Sequence, residues 1–169
     1  TDRRYRALLS NIDAQIGRLL DELERRGRAD DTIVVLFSDH GESLGDDPRL
    51  PDRHGLVVYH ALTHVPIAVR GPGIAPATLD APAALIDLAP TLLGLLGAGG
   101  MAPLDGVDLS DDVLGAPAAL VARERTLVMN EQDQWAVVAW PWKLLVRPAD
   151  NLTELYDLAA DPGARSEEH

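Results

Sequence analysis

Residues 32–42 read Thr32-Ile33-Val34-Val35-Leu36-Phe37-Ser38-Asp39-His40-Gly41-Glu42. The first seven form an apolar, β-branched run that predicts a buried strand, and in open sheets ligands gather just beyond the carboxyl ends of such strands. An acid and an imidazole side by side at that edge suit a divalent metal. Asp39 offers a charged oxygen and His40 a neutral nitrogen, while Gly41 lets the backbone turn sharply so that both can face one point. Two ligands do not close a coordination shell, so the remainder must come from elsewhere. Position by itself supports a plainer reading equally well, with Asp39 capping a turn and His40 a polar loop residue.

Working outward, Tyr5, Leu8, Leu9, Ile12, Ile16, Leu19, Leu20 and Leu23 recur at spacings of three and four, which predicts a helix with one apolar face. Glu22 is placed to pair with Arg26, Arg25 and Arg26 suit the carboxyl end of the helix dipole, and Gly27 is placed to end it. Helix, short turn and buried strand are the grammar of a parallel or mixed sheet covered by helices. Residues 43–53, rich in Gly, Pro, Asp and Arg, predict an exposed loop over the edge that carries Asp39 and His40. Residues 56–61 predict a short helix or turn. Residues 65–69 predict a second strand, closed by Gly71-Pro72-Gly73. Asp87 is placed to cap an apolar helix through Leu96, and residues 105–115 predict a loop with one helical turn.

Beyond Arg125 the pattern changes to short strands at 126–129, 135–140, 143–146 and 152–156, broken by Pro141 and by the polar stretch 148–151. Neighbouring strands joined by short turns predict a small antiparallel sheet. A boundary near Ala118 follows, giving a first part over 1–118 and a second over 119–169. Trp135, Trp140 and Trp142 are expected to pack the core of that sheet, and Lys143 to be structural. His60 and His64 read as packing or surface residues, and Glu42 as a loop carboxylate bonded to nearby backbone or arginine.

The 169 residues, 46% of them hydrophobic, suffice for a sizeable core. A formal net charge of −12 argues against a nucleic-acid partner and against an anionic membrane surface. Any anionic substrate must therefore be held by a local positive cluster or a metal. The absence of cysteine excludes disulfides, thiolate metal sites and a cysteine nucleophile from this stretch. Lys143 is the single lysine.

Ser38-Asp39-His40-Gly41-Glu42-Ser43-Leu44-Gly45, His54-Gly55, Tyr59, Val65-Pro66-Ile67-Ala68-Val69-Arg70-Gly71-Pro72-Gly73, Asp87-Leu88-Ala89-Pro90-Thr91 and Leu155-Tyr156-Asp157-Leu158 with Asp161-Pro162 fall in one order along the chain. Together they resemble the carboxyl-terminal portion of the sulfatase family, within the alkaline phosphatase superfamily. The resemblance implies an α/β fold: part of an alkaline-phosphatase-like sheet covered by helices, with a small C-terminal antiparallel sheet beside it. It implies metal-dependent hydrolysis of a sulfuric ester, on a small molecule or glycan. Phosphodiester or phosphonate hydrolysis, phosphoethanolamine transfer and a non-catalytic binding domain are the alternatives.

By the same resemblance Asp39 and His40 supply two metal ligands. Calcium is the first expectation, with manganese, zinc and magnesium as others, since an imidazole ligand admits softer ions. The family places a lysine between the metal pair and the following strand. Here His54 stands closest to that position, where an imidazolium could donate to the ester oxygen, and Arg53 is the alternative oxyanion contact. The family's nucleophile, a formylglycine or a direct threonine or serine, precedes Pro-x-Arg. The one Pro-x-Arg here, Pro51-Asp52-Arg53, has Arg49 at the nucleophile position. Formylglycine is therefore expected outside this chain, in a missing N-terminal half of the same protein, and the isolated stretch is expected to be inactive. Periplasmic or extracellular placement is a family-level expectation.

Overall fold

A computed structural model of the chain describes residues 2–45, 47, 49–50, 55, 57–79, 82–98, 104–115 and 125–164. They fall into two compact units, one drawn from 1–55 and 61–72, the other from 56–60 and 73–169. The boundary expected near Ala118 lies outside the described residues.

In the first unit, helix α1 (Asp2–Arg25) follows the apolar periodicity of its sequence. Both Arg25 and Arg26 reach Glu22 at 2.6 Å. The helix ends as the sequence predicts. Gly27 adopts φ +64°, its N–H donates to the Glu24 carbonyl and that of Arg28 to the Leu23 carbonyl, the paired bonds that close a helix through a left-handed glycine. No residue of α1 is buried, and Leu8, Leu9, Ile12 and Leu19 of its apolar stripe are exposed. Strand β1 (Val34–Phe37) pairs with β2 (Ile67–Arg70) in antiparallel register, Val34 opposite Arg70 and Phe37 opposite Ile67. Between them lies the short helix α2 (His60–Thr63). Of the exposed loop expected for 43–53, some of the described residues are instead covered. Ser43 and Leu50 are buried, and Arg49 holds the Asp47 carboxylate at 2.7 Å. Leu50 as an apolar anchor and the Asp47–Arg49 pair draw these residues inward, which composition in Gly and Pro does not reveal.

In the second unit, helix α3 (Leu88–Leu95) follows a single 3-10 turn over Leu85–Asp87. Asp87 does not cap α3 with its side chain. Its carboxylate instead takes the N–H groups of Ala84 and Val107, both at 2.8 Å, and the guanidinium of Arg125. Thr91 accepts the Leu109 N–H at 3.0 Å, which ties α3 to the segment entering helix α4 (Ser110–Val113). Gly94 belongs at that contact because a Cβ there would lie 2.4 Å from the Asp108 carboxylate and the Ser110 hydroxyl.

The remainder is a four-stranded antiparallel meander of β3 (Thr126–Glu131), β4 (Gln134–Ala139), β5 (Trp142–Arg147) and β6 (Leu152–Asp157). Successive side chains alternate between faces. One face buries Ala136, Val138, Leu145 and Tyr156 together with Lys143 and Glu154. Tyr59 is buried in the same unit, with the Arg147 guanidinium 5.6 Å from its ring centre. The tryptophans contradict the expectation of core packing. Trp135 and Trp142 stand on the opposite face and Trp140 in the β4–β5 turn, all exposed. Their parity decides this: Trp142 alternates with the buried Lys143, so the polar residue takes the inner position and the aromatic the outer. Among the described residues no helix is long and apolar enough to cross a membrane.

Candidate metal centre

Asp39 and His40 follow directly on β1, at the edge where the strand pattern placed them. The backbone there is held from three sides, all within the first unit. The Ser38 hydroxyl donates to the His40 carbonyl at 2.7 Å. The Gly41 N–H donates to the Leu62 carbonyl at 2.9 Å, docking the loop on α2. The His40 N–H donates to Asp39 Oδ1 at 2.9 Å.

Gly41 is required for closeness rather than for an unusual turn. A Cβ at this position would lie 2.0 Å from the Ala61 carbonyl oxygen and 3.0 Å from its carbon. Any side chain would therefore lift the loop from α2. The neighbouring Leu62 is buried and fixes the helix that receives it.

The imidazole is oriented in turn. His40 Nδ1 lies 2.9 Å from the Gly41 carbonyl oxygen. A carbonyl can only accept, so Nδ1 carries a proton, and in the neutral ring the lone pair then sits on Nε2. A histidine that ligates a metal through one nitrogen while its other N–H is held by a carbonyl has this arrangement. Asp39 Oδ1 is engaged by the His40 N–H, which leaves Oδ2 as the outward oxygen. Nε2 and Oδ2 are 3.8 Å apart. That separation is shorter than the sum of two ligand distances of roughly 2.0–2.2 Å, so one ion can touch both atoms. The side chains are 44% and 82% exposed, so both can be reached from solvent.

The pair fits part of a coordination shell. Among the described residues no group of three or more His, Cys, Asp or Glu side chains stands together as a complete one. Arg53 and His54, the expected oxyanion contacts, lie outside the described residues. Glu42 is half-buried beside the pair, His60 is half-buried on α2, and His64 is exposed. The sequence reading missed the Ser38 clamp and the docking of Gly41 on α2. The signal for the first was present as a hydroxyl two residues before the carbonyl it serves; the second joins residues about twenty positions apart and leaves no local pattern.

Residues 1–98 match the model of the sulfatase family. Choline-sulfatase of Rhizobium meliloti (strain 1021) is 30% identical over 172 residues, covering 95% of this chain and 31% of that protein. Arylsulfatase K of Rattus norvegicus is 28% identical over 177 residues, covering 94% of this chain and 30% of its own length. The chain thus spans just under a third of these relatives. Among solved structures, a 2-O GAG sulfatase superposes with a TM-score of 0.78 at 26% identity, over 92% of this chain and 35% of that one. A phosphonate monoester hydrolase from Silicibacter pomeroyi superposes with a TM-score of 0.68 at 30% identity, over 89% of this chain and 35% of that one.

Proposed function

The chain belongs to the sulfatase family, and from that premise we propose that it forms the metal-binding carboxyl-terminal part of a hydrolase of sulfuric esters. The metal reading is carried by the oriented pair after β1, with His40 Nδ1 held on the Gly41 carbonyl and Nε2 lying 3.8 Å from Asp39 Oδ2. These two residues hold a divalent ion, whose remaining ligands come from elsewhere in the polypeptide. Such an ion supplies Lewis-acid polarisation of the ester oxygens at the reacting centre. His54, or Arg53 in its place, donates a hydrogen bond to the ester oxyanion and supports the departing oxygen.

The nucleophile and the other ligands lie in the part of the protein that corresponds to the remaining length of its relatives. The exposed apolar stripe of α1 supports this arrangement, since contiguous apolar surface of that kind marks a covered face. The substrate is a sulfate ester of a small molecule or glycan, the class named by both sulfatase relatives and the glycosaminoglycan sulfatase structure. A second reading, phosphonate monoester hydrolysis, is favoured by the imidazole ligand at His40, which admits softer ions such as manganese, and by the 30% identity to the Silicibacter pomeroyi enzyme.

The test is a substrate comparison on the complete polypeptide. An aryl sulfate turned over faster than the matching aryl phosphonate monoester supports the first reading; the reverse order supports the second. Turnover of neither, in protein reloaded with Ca²⁺ or Mn²⁺, removes both.

A further inference from the structure

The metal pair is aligned by residues that carry no ligand atom. We propose that Ser38 is a positioning residue for the metal centre: its hydroxyl, locked on the His40 carbonyl, cooperates with the docking of Gly41 on α2 to fix where His40 Nε2 and Asp39 Oδ2 converge. The inference rests on the reading of Asp39 and His40 as ligands, and goes beyond it by assigning the support that holds them.

Ser38 and His40 are two apart, and the 2.7 Å bond between them closes a tight loop around Asp39. The carbonyl that Ser38 grips belongs to the peptide joining His40 to Gly41. That same peptide presents the Gly41 N–H to Leu62 at 2.9 Å. One peptide plane is therefore held at both its oxygen and its nitrogen, by a side chain from the end of β1 and by the backbone of α2. The imidazole hangs from that plane and is oriented by the next carbonyl, that of Gly41. With the hydroxyl removed, the peptide loses one of these two holds and can rock about the α2 bond. The ligand atoms then sample separations other than 3.8 Å. Partners one step removed from a metal are worth about tenfold to a hundredfold in affinity.

The experiment titrates Mn²⁺, and separately Ca²⁺, into metal-stripped complete polypeptide, comparing the unaltered protein with Ser38→Ala and Ser38→Thr. The expected result is affinity weakened about tenfold or more in Ser38→Ala and restored in Ser38→Thr, which keeps the hydroxyl. The thermal midpoint of the metal-free protein should differ little among the three, separating alignment from folding. Gly41→Ala is the stronger perturbation, and Leu62→Ala loosens α2 while keeping the Leu62 carbonyl that accepts the Gly41 N–H, so it serves where Gly41→Ala fails to fold. Equal affinities in the unaltered protein, Ser38→Ala and Leu62→Ala overturn the inference while leaving the ligand assignment standing. Failure of the unaltered protein to bind either ion overturns the ligand assignment itself.

Discussion

Arg125 grips both carboxylate oxygens of Asp87, 38 residues earlier in the chain. Asp87 also receives the N–H groups of Ala84 and Val107, so a single buried carboxylate gathers the turn before α3, the segment before α4 and the entry to β3. Side-chain exposure is 3% for Asp87 and 17% for Arg125, so water does little to screen the pair. Burial pushes the Asp87 carboxyl up, but the guanidinium and the two N–H donors outweigh it and hold the group below its ordinary range.

Removing Arg125 leaves the buried Asp87 carboxylate its two N–H donors but no counter-charge. Arg125→Ala should therefore destabilise the fold by about 3–5 kcal/mol. The pH sign follows from the depressed pKa of Asp87. Its stabilising contribution is fully present above the unfolded value near ~3.9 and is lost as pH falls below it. Denaturant midpoints measured from pH 7 to pH 3 should drop more steeply for the unaltered protein than for Asp87→Asn. Parallel curves would show that the pair contributes no pH-dependent stability.

Lys143 has the opposite character, a base buried where its charge is disfavoured. Burial lowers its pKa from 10.5 to about 7. Between those values the unfolded chain binds the proton and the folded chain does not, so stability should rise with pH, by at most about 1.4 kcal/mol per unit. The contribution is complete above 10.5 and is lost as pH falls through about 7. Replacement by Met, which fills similar space without a charge, should flatten the slope between pH 7 and pH 10 in denaturant titrations. A slope that survives Lys143→Met would assign it to other groups.

The faces of the meander give a paired test. Leu145 is fully buried, whereas its neighbour Leu144 is 37% exposed on the opposite face. Leu145→Ala should cost about 2–5 kcal/mol, the range for emptying a packed core position. Leu144→Ala should cost clearly less, because much of its side chain is already in water. Equal costs in equilibrium unfolding would mean that the outer face is covered.

Much of this was legible in the sequence. The three- and four-residue spacing of α1, its glycine stop, the β-branched run that forms β1 and the four short strands of the meander are local signals, each written in neighbouring residues, although no residue of β1 is buried as its run predicts and Leu36 and Phe37 are exposed. The position of Asp39 and His40 was legible for the same reason, since adjacency to a strand end places both without knowledge of the rest; their role as ligands is the proposal built on it. What escaped was non-local. Arg125 and Asp87 meet across 38 positions, and the steric demand on Gly41 comes from Ala61. The tryptophans were misplaced because hydrophobicity was weighed ahead of strand parity: Trp142 and Lys143 cannot both face inward, and the lysine does. Arg53 and His54 lie outside the described residues, so their expected role rests on the family resemblance.

If Asp39 and His40 hold the ion used in ester hydrolysis, as proposed, removing either must cost metal and turnover together. The most direct measurement is bound-metal stoichiometry together with aryl sulfate turnover for the complete polypeptide, unaltered and with Asp39→Ala or His40→Ala. Each substitution should remove metal and activity in parallel, with added Mn²⁺ or Ca²⁺ restoring the stripped unaltered protein but not the variants at the same concentration. Unchanged metal content in both variants would contradict the proposal.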